Sequence, residues 1–291
     1  MWSDYATGVQ VATSANGVDW TTVGSVSGLT TLAQPKHTLV EKIDGVYRMW
    51  YTSSLTYSIN DIRTATSVDG LTWTSDTAAT QVGNTVIYDT NLNATWNRDS
   101  YGPADVIYNP AGSDTIVAPV DKASVWANKY VMYYDGTSGG FESLGLAVSN
   151  DGINWQGYNG GAAAVFTGSG VAGSWDRAYV SRATVTRESD DLFYMWYSGG
   201  ESSMDKGIGF ATSTDGLTWT RDDENPLFGK DDGVAWRDKR TYTPVVIDDQ
   251  MWFTGVSSGG VYAIGYAQVP EPATMSLLVA GGLALLRRRK H

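Results

Sequence analysis

The chain has 291 residues, 31 acidic and 20 basic, and four of its cations (Arg287, Arg288, Arg289, Lys290) stand in the last five positions, so the remainder carries 16 basic residues against 31 acidic ones. A body this acidic presents no basic face to phosphates, which excludes nucleic acid as a partner. With no Cys, and only His37 and His291, disulfides, thiol chemistry and a histidine-rich metal site are excluded, and neither metal nor cofactor is expected.

Twelve Trp, 17 Tyr and 33 Gly suit many short strands joined by tight turns, and comparing the chain with itself shows how those strands are organised. The first unit opens on Met1-Trp2 and reaches Ser14-x-x-Gly17-x-x-Trp20. The second runs from Met49-Trp50-Tyr51 to Ser67-x-Asp69-Gly70-x-x-Trp73, the third from Met132-Tyr133-Tyr134 to Ser149-x-Asp151-Gly152-x-x-Trp155, and the fourth from Met195-Trp196-Tyr197 to Ser213-x-Asp215-Gly216-x-x-Trp219. From Met to Ser the offsets are 13, 18, 17 and 18 residues. A fifth copy, Met251-Trp252-Phe253, continues through Ile264-Gly-Tyr-Ala267, which parallels Ile208-Gly-Phe-Ala211. Ahead of the Met a further apolar run recurs, led in by Trp96 with Val106, Trp175 with Val185 and Trp236 with Val246, each ten residues apart.

A complete unit therefore reads as four antiparallel strands: the run after the leading Trp, the Met-aromatic strand, a Gly-x-Ala-x-Ser strand, and a strand holding the Trp of the turn. Asp-Gly and Asn-Gly pairs favour tight hairpins because those turns need positive φ. Four-stranded units repeated around a channel leave only short edges exposed. The expected fold is all-β: a five-bladed β-propeller over residues 1–268, its first blade incomplete at the N-terminus. The first unit lacks its first strand and the fifth its fourth, so residues are expected ahead of Met1. The recurring Trp residues are expected to fill the space between blades, and the Ser-x-Asp-Gly element is turn chemistry.

Residues 269–291 differ in kind. Val269-Pro-Glu-Pro-Ala-Thr274 precedes an uncharged apolar stretch ending at Leu286, and the Arg287–Lys290 cluster closes it, the charge signature of a segment whose end stays in the cytoplasm. The expectation is a short apolar helix serving as a signal, to be left out of fold reasoning. Pro-Glu-Pro, apolar helix and Arg cluster in that order resemble the PEP-CTERM sorting signal of Gram-negative bacteria. The resemblance implies export, transient anchoring in the inner membrane through the tail, cleavage by an exosortase, and release or attachment at the cell surface. Met1-Trp-Ser-Asp-Tyr5 has neither the basic nor the apolar region of a leader, a second reason to expect preceding residues.

The repeated Trp-x-(Arg/Asp), Met-Trp-Tyr and Ala-x-Ser-x-Asp-Gly-x-x-Trp elements of residues 1–268 resemble the five-bladed propellers of the arabinanase, xylosidase, invertase and levansucrase glycosidases. In such a ring the first strands line the channel, and one mouth is formed by the entries to those strands and by the loops between second and third strands. Those places supply Asp99, Asp105 and Glu142 as candidate catalytic carboxylates, with Arg98, Tyr101, Arg182, Asp238 and His37 as candidate sugar-binding residues. Glycoside hydrolysis needs one carboxylic acid to protonate the leaving oxygen and a second carboxylate as base or nucleophile, so an acidic, aromatic-rimmed mouth suits a polysaccharide or oligosaccharide. Arg98-Asp99 looks like the family's Arg-Asp element. The family's first-strand Asp has no counterpart, and Pro103-Ala104-Asp105 and Ser181-Arg182-Ala183 hold no Glu where its general acid would stand. Two readings follow: an exported carbohydrate-active propeller that binds or cleaves a glycan, or a non-catalytic structural or binding protein of the extracellular matrix or cell surface.

Overall fold

The computed structural model describes residues 2–4, 8–29, 36–56, 59–75, 87–88, 100–202, 206–229 and 232–269. Among the described residues the strands follow the sequence units and form four sheets, those of the third and fourth units being joined into one nine-stranded sheet by the single parallel pair Glu142–Tyr179. Unit I holds β1 (Trp2–Asp4), β2 (Gly8–Thr13) and β3 (Thr21–Ser25); unit II holds β4 (Lys36–Ile43), β5 (Val46–Thr56), β6 (Ile59–Ser67) and β7 (Thr74–Ser75). After the short β8 (Ile87–Tyr88) comes unit III, with β9 (Ser100–Tyr108), β10 (Tyr130–Ser138), β11 (Phe141–Ser149) and β12 (Trp155–Gly157). Unit IV comprises β13 (Tyr179–Ser189), β14 (Leu192–Gly200), β15 (Lys206–Ser213) and β16 (Thr220–Arg221), and unit V β17 (Arg240–Ile247), β18 (Gln250–Val256) and β19 (Tyr262–Gln268). Among the described residues unit I has no first strand and unit V no fourth. The only α-helix among them is α1 (Lys122–Trp126), capped by Asp121 between β9 and β10. The apolar tail helix expected from the sequence lies outside the described residues.

The turn motif works as its residues suggest. Ser67 Oγ accepts from the N–H of Gly70 at 2.9 Å, and Asp69 Oδ1 accepts from Leu71 and Thr72, each at 2.8 Å. The other copies repeat this, with Gly17, Gly70, Gly152 and Gly216 at φ between 73° and 76°, a conformation glycine adopts without steric cost. The Met-aromatic strands are the best-buried part of the molecule: Met49, Trp50, Tyr51, Met132, Tyr133, Tyr134, Met195, Trp196 and Tyr197 are all inaccessible or nearly so. Not every Trp is enclosed, for Trp20 is 51% and Trp236 38% exposed.

Hydrogen bonds between units close the sheets into a ring. Trp50 Nε1 of unit II donates to the Gly152 carbonyl of unit III (2.9 Å), and the Tyr133 hydroxyl of unit III to the Gly216 carbonyl of unit IV (2.6 Å). The same contact runs from Trp252 Nε1 of unit V to the Gly17 carbonyl of unit I (2.6 Å), across 235 residues of sequence. The last sheet therefore sits beside the first, and the arrangement is a β-propeller. First strands pack on first strands, β4 on β9, β9 on β13 and β13 on β17, which places them innermost.

Candidate functional site

All four first strands break register at the same point. Between Lys36 and Leu39, Pro103 and Asp105, Ser181 and Thr184, and Tyr242 and Val245, the pairing with the Met-aromatic strand shifts, a bulge facing Trp50, Tyr133, Trp196 and Trp252 respectively. Bulges re-aim the side chains they carry. Three bulge residues adopt positive φ, His37 at 49°, Arg182 at 51° and Thr243 at 54°, each at a cost on the order of 1 kcal/mol for a residue with a Cβ.

The preceding unit offsets that cost. Asp135 Oδ1 accepts from the Arg182 N–H at 2.7 Å and Ser198 Oγ from the Thr243 N–H at 2.8 Å. Asp135 and Ser198 both stand three residues after the Met of their unit, as do Thr52 and Thr254. A polar residue at that register thus holds the next unit's strained bulge, and with it whatever the bulge residue presents to the channel.

Gly102 marks where three units meet. A Cβ placed there would lie 2.9 Å from Arg182 Nη1, 3.2 Å from His37 Nδ1 and 3.3 Å from Thr52 Oγ1, so the cluster exists because this position has no side chain. Arg182 Nη1 is 2.7 Å from Asp135 Oδ2, with 21% of the arginine side chain and 6% of the aspartate side chain accessible. That contact is off the hydrogen-bond axis, so it acts as a charge pair that fixes the guanidinium. His37 Nδ1 and Thr52 Oγ1 are 3.3 Å apart. A fixed guanidinium beside an imidazole and a hydroxyl can grip vicinal hydroxyls or a carboxylate through several donors at once.

Asp105 sits two strand pairs below Gly102, opposite Tyr133. Its Oδ1 accepts from the Val106 N–H (2.8 Å) and its Oδ2 from the Val185 N–H (2.6 Å), joining the first strands of units III and IV. The residue keeps some accessibility along the channel while its carboxyl is enclosed by protein. Burial lifts that carboxyl to about 7; the two backbone N–H groups oppose the rise and the charge of Glu41 adds to it. Burial also raises Glu41.

Glu142 pairs with Thr137 near the far end of the β10–β11 hairpin, four residues along β10 and one further strand out from Asp105. Strand geometry puts the Cα positions of Asp105 and Glu142 about 15 Å apart. Asp238 accepts from the Ser258 N–H at 2.5 Å, tying the entry of β17 to the β18–β19 hairpin. Tyr101 lies within β9, whereas Arg98 and Asp99 fall outside the described residues. Asp135, Thr52, Gly102 and Glu41 went unremarked in the sequence. The residue three past each Met reads Asp4, Thr52, Asp135, Ser198 and Thr254, a polar side chain in every unit, and that recurrence is the signal that brings Asp135 into view.

The comparisons with known proteins bear on both parts of the chain. Residues 268–290 match the PEP-CTERM protein-sorting motif. That motif marks the chain for export. Among the described residues no helix is long and apolar enough to cross a membrane, and the tail lies outside them. The ring is similar to a glycoside hydrolase (TM-score 0.67, 16% identity, 90% of this chain and 81% of that one) and to a thermostable family-43 glycoside hydrolase (0.64, 15%, 90% and 82%). It is also similar to a family 117 glycoside hydrolase from the marine bacterium Zobellia galactanivorans (0.58, 15%, 84% and 70%). At such identities the likeness is one of fold. No curated protein matches the chain.

Proposed function

We propose that this PEP-CTERM propeller is a carbohydrate-active protein that holds a glycan at the channel mouth around Arg182 and His37. The observation that carries the reading is the convergence at Gly102 of two side chains from strained bulges, with the Arg182 guanidinium held by Asp135. Strain kept at equivalent points of the innermost strands is the kind of feature found at ligand sites, and the glycosidase fold supports a sugar as the ligand. Arg182 would bind hydroxyls or a uronate carboxylate, and His37 would add a donor or an acceptor. After export, an exosortase would act on the tail while the inner membrane holds it, leaving the propeller at the cell surface or outside the cell.

The alternative, a non-catalytic matrix or surface protein, is favoured by one observation: Pro103-Ala104-Asp105 and Ser181-Arg182-Ala183 hold no Glu where a general acid would stand. Asp99 stays in the proposal as the carboxylate that would make the mouth catalytic. Calorimetric titration of plant and bacterial oligosaccharides, with product analysis in parallel, tests the reading. Binding that Arg182→Ala weakens at least tenfold supports it, and sugar release that Asp99→Ala abolishes makes it hydrolytic. Binding that Arg182→Ala leaves unchanged, or no binding at millimolar sugar, overturns it.

A further inference from the structure

Arg182 is set apart by what its side chain leaves unbonded. Arg48 Nη1 donates to the Asp151 carbonyl (2.7 Å), Arg187 Nη2 to Asp190 (2.7 Å), Arg221 Nε to Asp176 (2.6 Å), Arg237 Nη1 to Asp232 (2.8 Å) and Arg240 Nη2 to the Tyr262 hydroxyl (3.0 Å). Among the described residues Arg182 donates one hydrogen bond, and it is the backbone N–H that makes it, to Asp135 Oδ1. Its Nη1 is buried there with no acceptor, the Asp135 contact being off the hydrogen-bond axis. A buried donor without a partner costs about 1–3 kcal/mol, and a folded protein that keeps one has a reason to do so.

The groups around that guanidinium say which kind of acceptor it lacks. Thr52 is 0% exposed and lies against His37, so of the three side chains converging at Gly102 it is Arg182 and His37 that keep some access to the channel. Asp135, the carboxylate in contact with the guanidinium, is 4% exposed, and its Oδ1 is taken by the Arg182 amide. An arginine offers five N–H donors and no acceptor. A sugar hydroxyl donates as well as accepts, so it needs an open acceptor beside the arginine. A carboxylate only accepts, and its two oxygens match the spacing of the guanidinium fork. The donor set suits an acid better than an alcohol.

Charge alone would not select that ligand. Asp135 offsets part of the guanidinium's attraction, and the acidic body of the chain repels acids at a distance. Recognition therefore depends on contact, where a bidentate pair of charge-assisted hydrogen bonds forms. A lysine carries the same charge as a point and cannot reproduce the fork.

We infer that the mouth selects an acidic glycan: a uronate whose carboxylate is taken bidentately by the Arg182 fork, with His37 beside it. This assignment rests on the reading of the mouth as a glycan site and decides the class of glycan it takes. The bound carboxylate supplies the acceptor that the protein withholds from Arg182, whereas a neutral glycan leaves part of the fork unused.

The test titrates oligomers of galacturonate, glucuronate and mannuronate into the full 291-residue protein by calorimetry. Each acid is run beside its methyl ester, which keeps the ring and its hydroxyls and removes the charge. The expected result is saturable binding of at least one acid and at least tenfold weaker binding of its ester. Arg182→Lys, checked for folding by circular dichroism, should weaken the acid at least tenfold as well. The inference is overturned if the ester binds as tightly as the acid, if Arg182→Lys binds the acid as wild type does, or if no acid binds up to about 10 mM. The comparison of acid with ester needs no variant, so it decides even where Arg182→Lys does not fold. Neutral oligosaccharides titrated alongside separate the two failures. If they bind and Arg182→Ala weakens them while no acid is preferred, the mouth is still a glycan site and the acidic class alone falls; if nothing binds, both fall.

Discussion

Replacing Asp105 by Asn should change how stability varies with pH more than it changes the fold. The wild-type carboxyl moves from its ordinary 3.8 to about 7 on folding, chiefly through burial. Between those values the folded protein binds the proton more tightly than the unfolded chain does. The contribution is therefore fully present below about pH 4 and is lost as pH rises through about 7. That displacement is worth at most ~4 kcal/mol, and about 2 once partial access to channel water is allowed for. The substituted amide would keep one oxygen for the Val106 or Val185 N–H and would not titrate. Urea denaturation of both proteins from about pH 4.5 to about 8 isolates the effect, since the turn carboxylate Asp69, held down to about 2 by the N–H groups of Thr72 and Leu71, acts equally in each. The stability of wild type minus that of Asp105→Asn should fall by about 2 kcal/mol across the range. A difference that stays constant, or that grows with pH, would refute the reasoning.

Asp176 is buried and accepts from Ser174 Oγ (2.9 Å), the Tyr197 hydroxyl (3.1 Å) and Arg221 Nε (2.6 Å). Asp176→Ala should cost about 3 kcal/mol in chemical denaturation, because Arg221 and Tyr197 lose their partner in a confined place. A Cβ on Gly216, at φ +73°, would lie 2.7 Å from Trp126 Cζ2 and 3.0 Å from the Tyr133 hydroxyl, whereas one on Gly170, at φ +67°, meets nothing within 4 Å. Gly216→Ala is thus expected to lose about 2–3 kcal/mol and Gly170→Ala about 1, and equal losses would mean that backbone strain alone governs both. Trp252→Phe removes the bond that joins unit V to unit I and should lower stability by about 1 kcal/mol. Limited proteolysis of that variant should release unit I earlier than it does in wild type.

Much of the fold is legible in the sequence because each device that builds a unit is local. The Ser, Asp and Gly of a turn lie within four residues, so Ser67, Asp69 and Gly70 announce their conformation wherever they fall. The period of these elements also gives the order of the strands. The candidate site was legible only in part. Arg182 and His37 could be picked out as polar residues at first-strand entries, but their positive φ could not, since nothing in Ser181-Arg-Ala183 encodes a bulge. Asp105 reads as a channel-mouth carboxylate, but that its two oxygens accept from the Val106 and Val185 amides is visible only in the structure. Asp238 reads as a mouth residue, and the structure adds that it accepts from the Ser258 N–H of the neighbouring hairpin.

The sequence by itself determined the all-β repeat pattern, the hairpin turns and the sorting tail, because each is written in residues close together along the chain. Only the tertiary structure decided which residues meet at the axis. Arg182 reaches Asp135 across 47 residues, and both it and His37 approach Gly102, because the closed ring sets first strand against first strand and the bulges turn their side chains inward. It likewise decided that Asp105 and Glu142 stand apart. Their separation follows from strand register and from position along the hairpin, which hydrogen bonding fixes only once the sheet has formed.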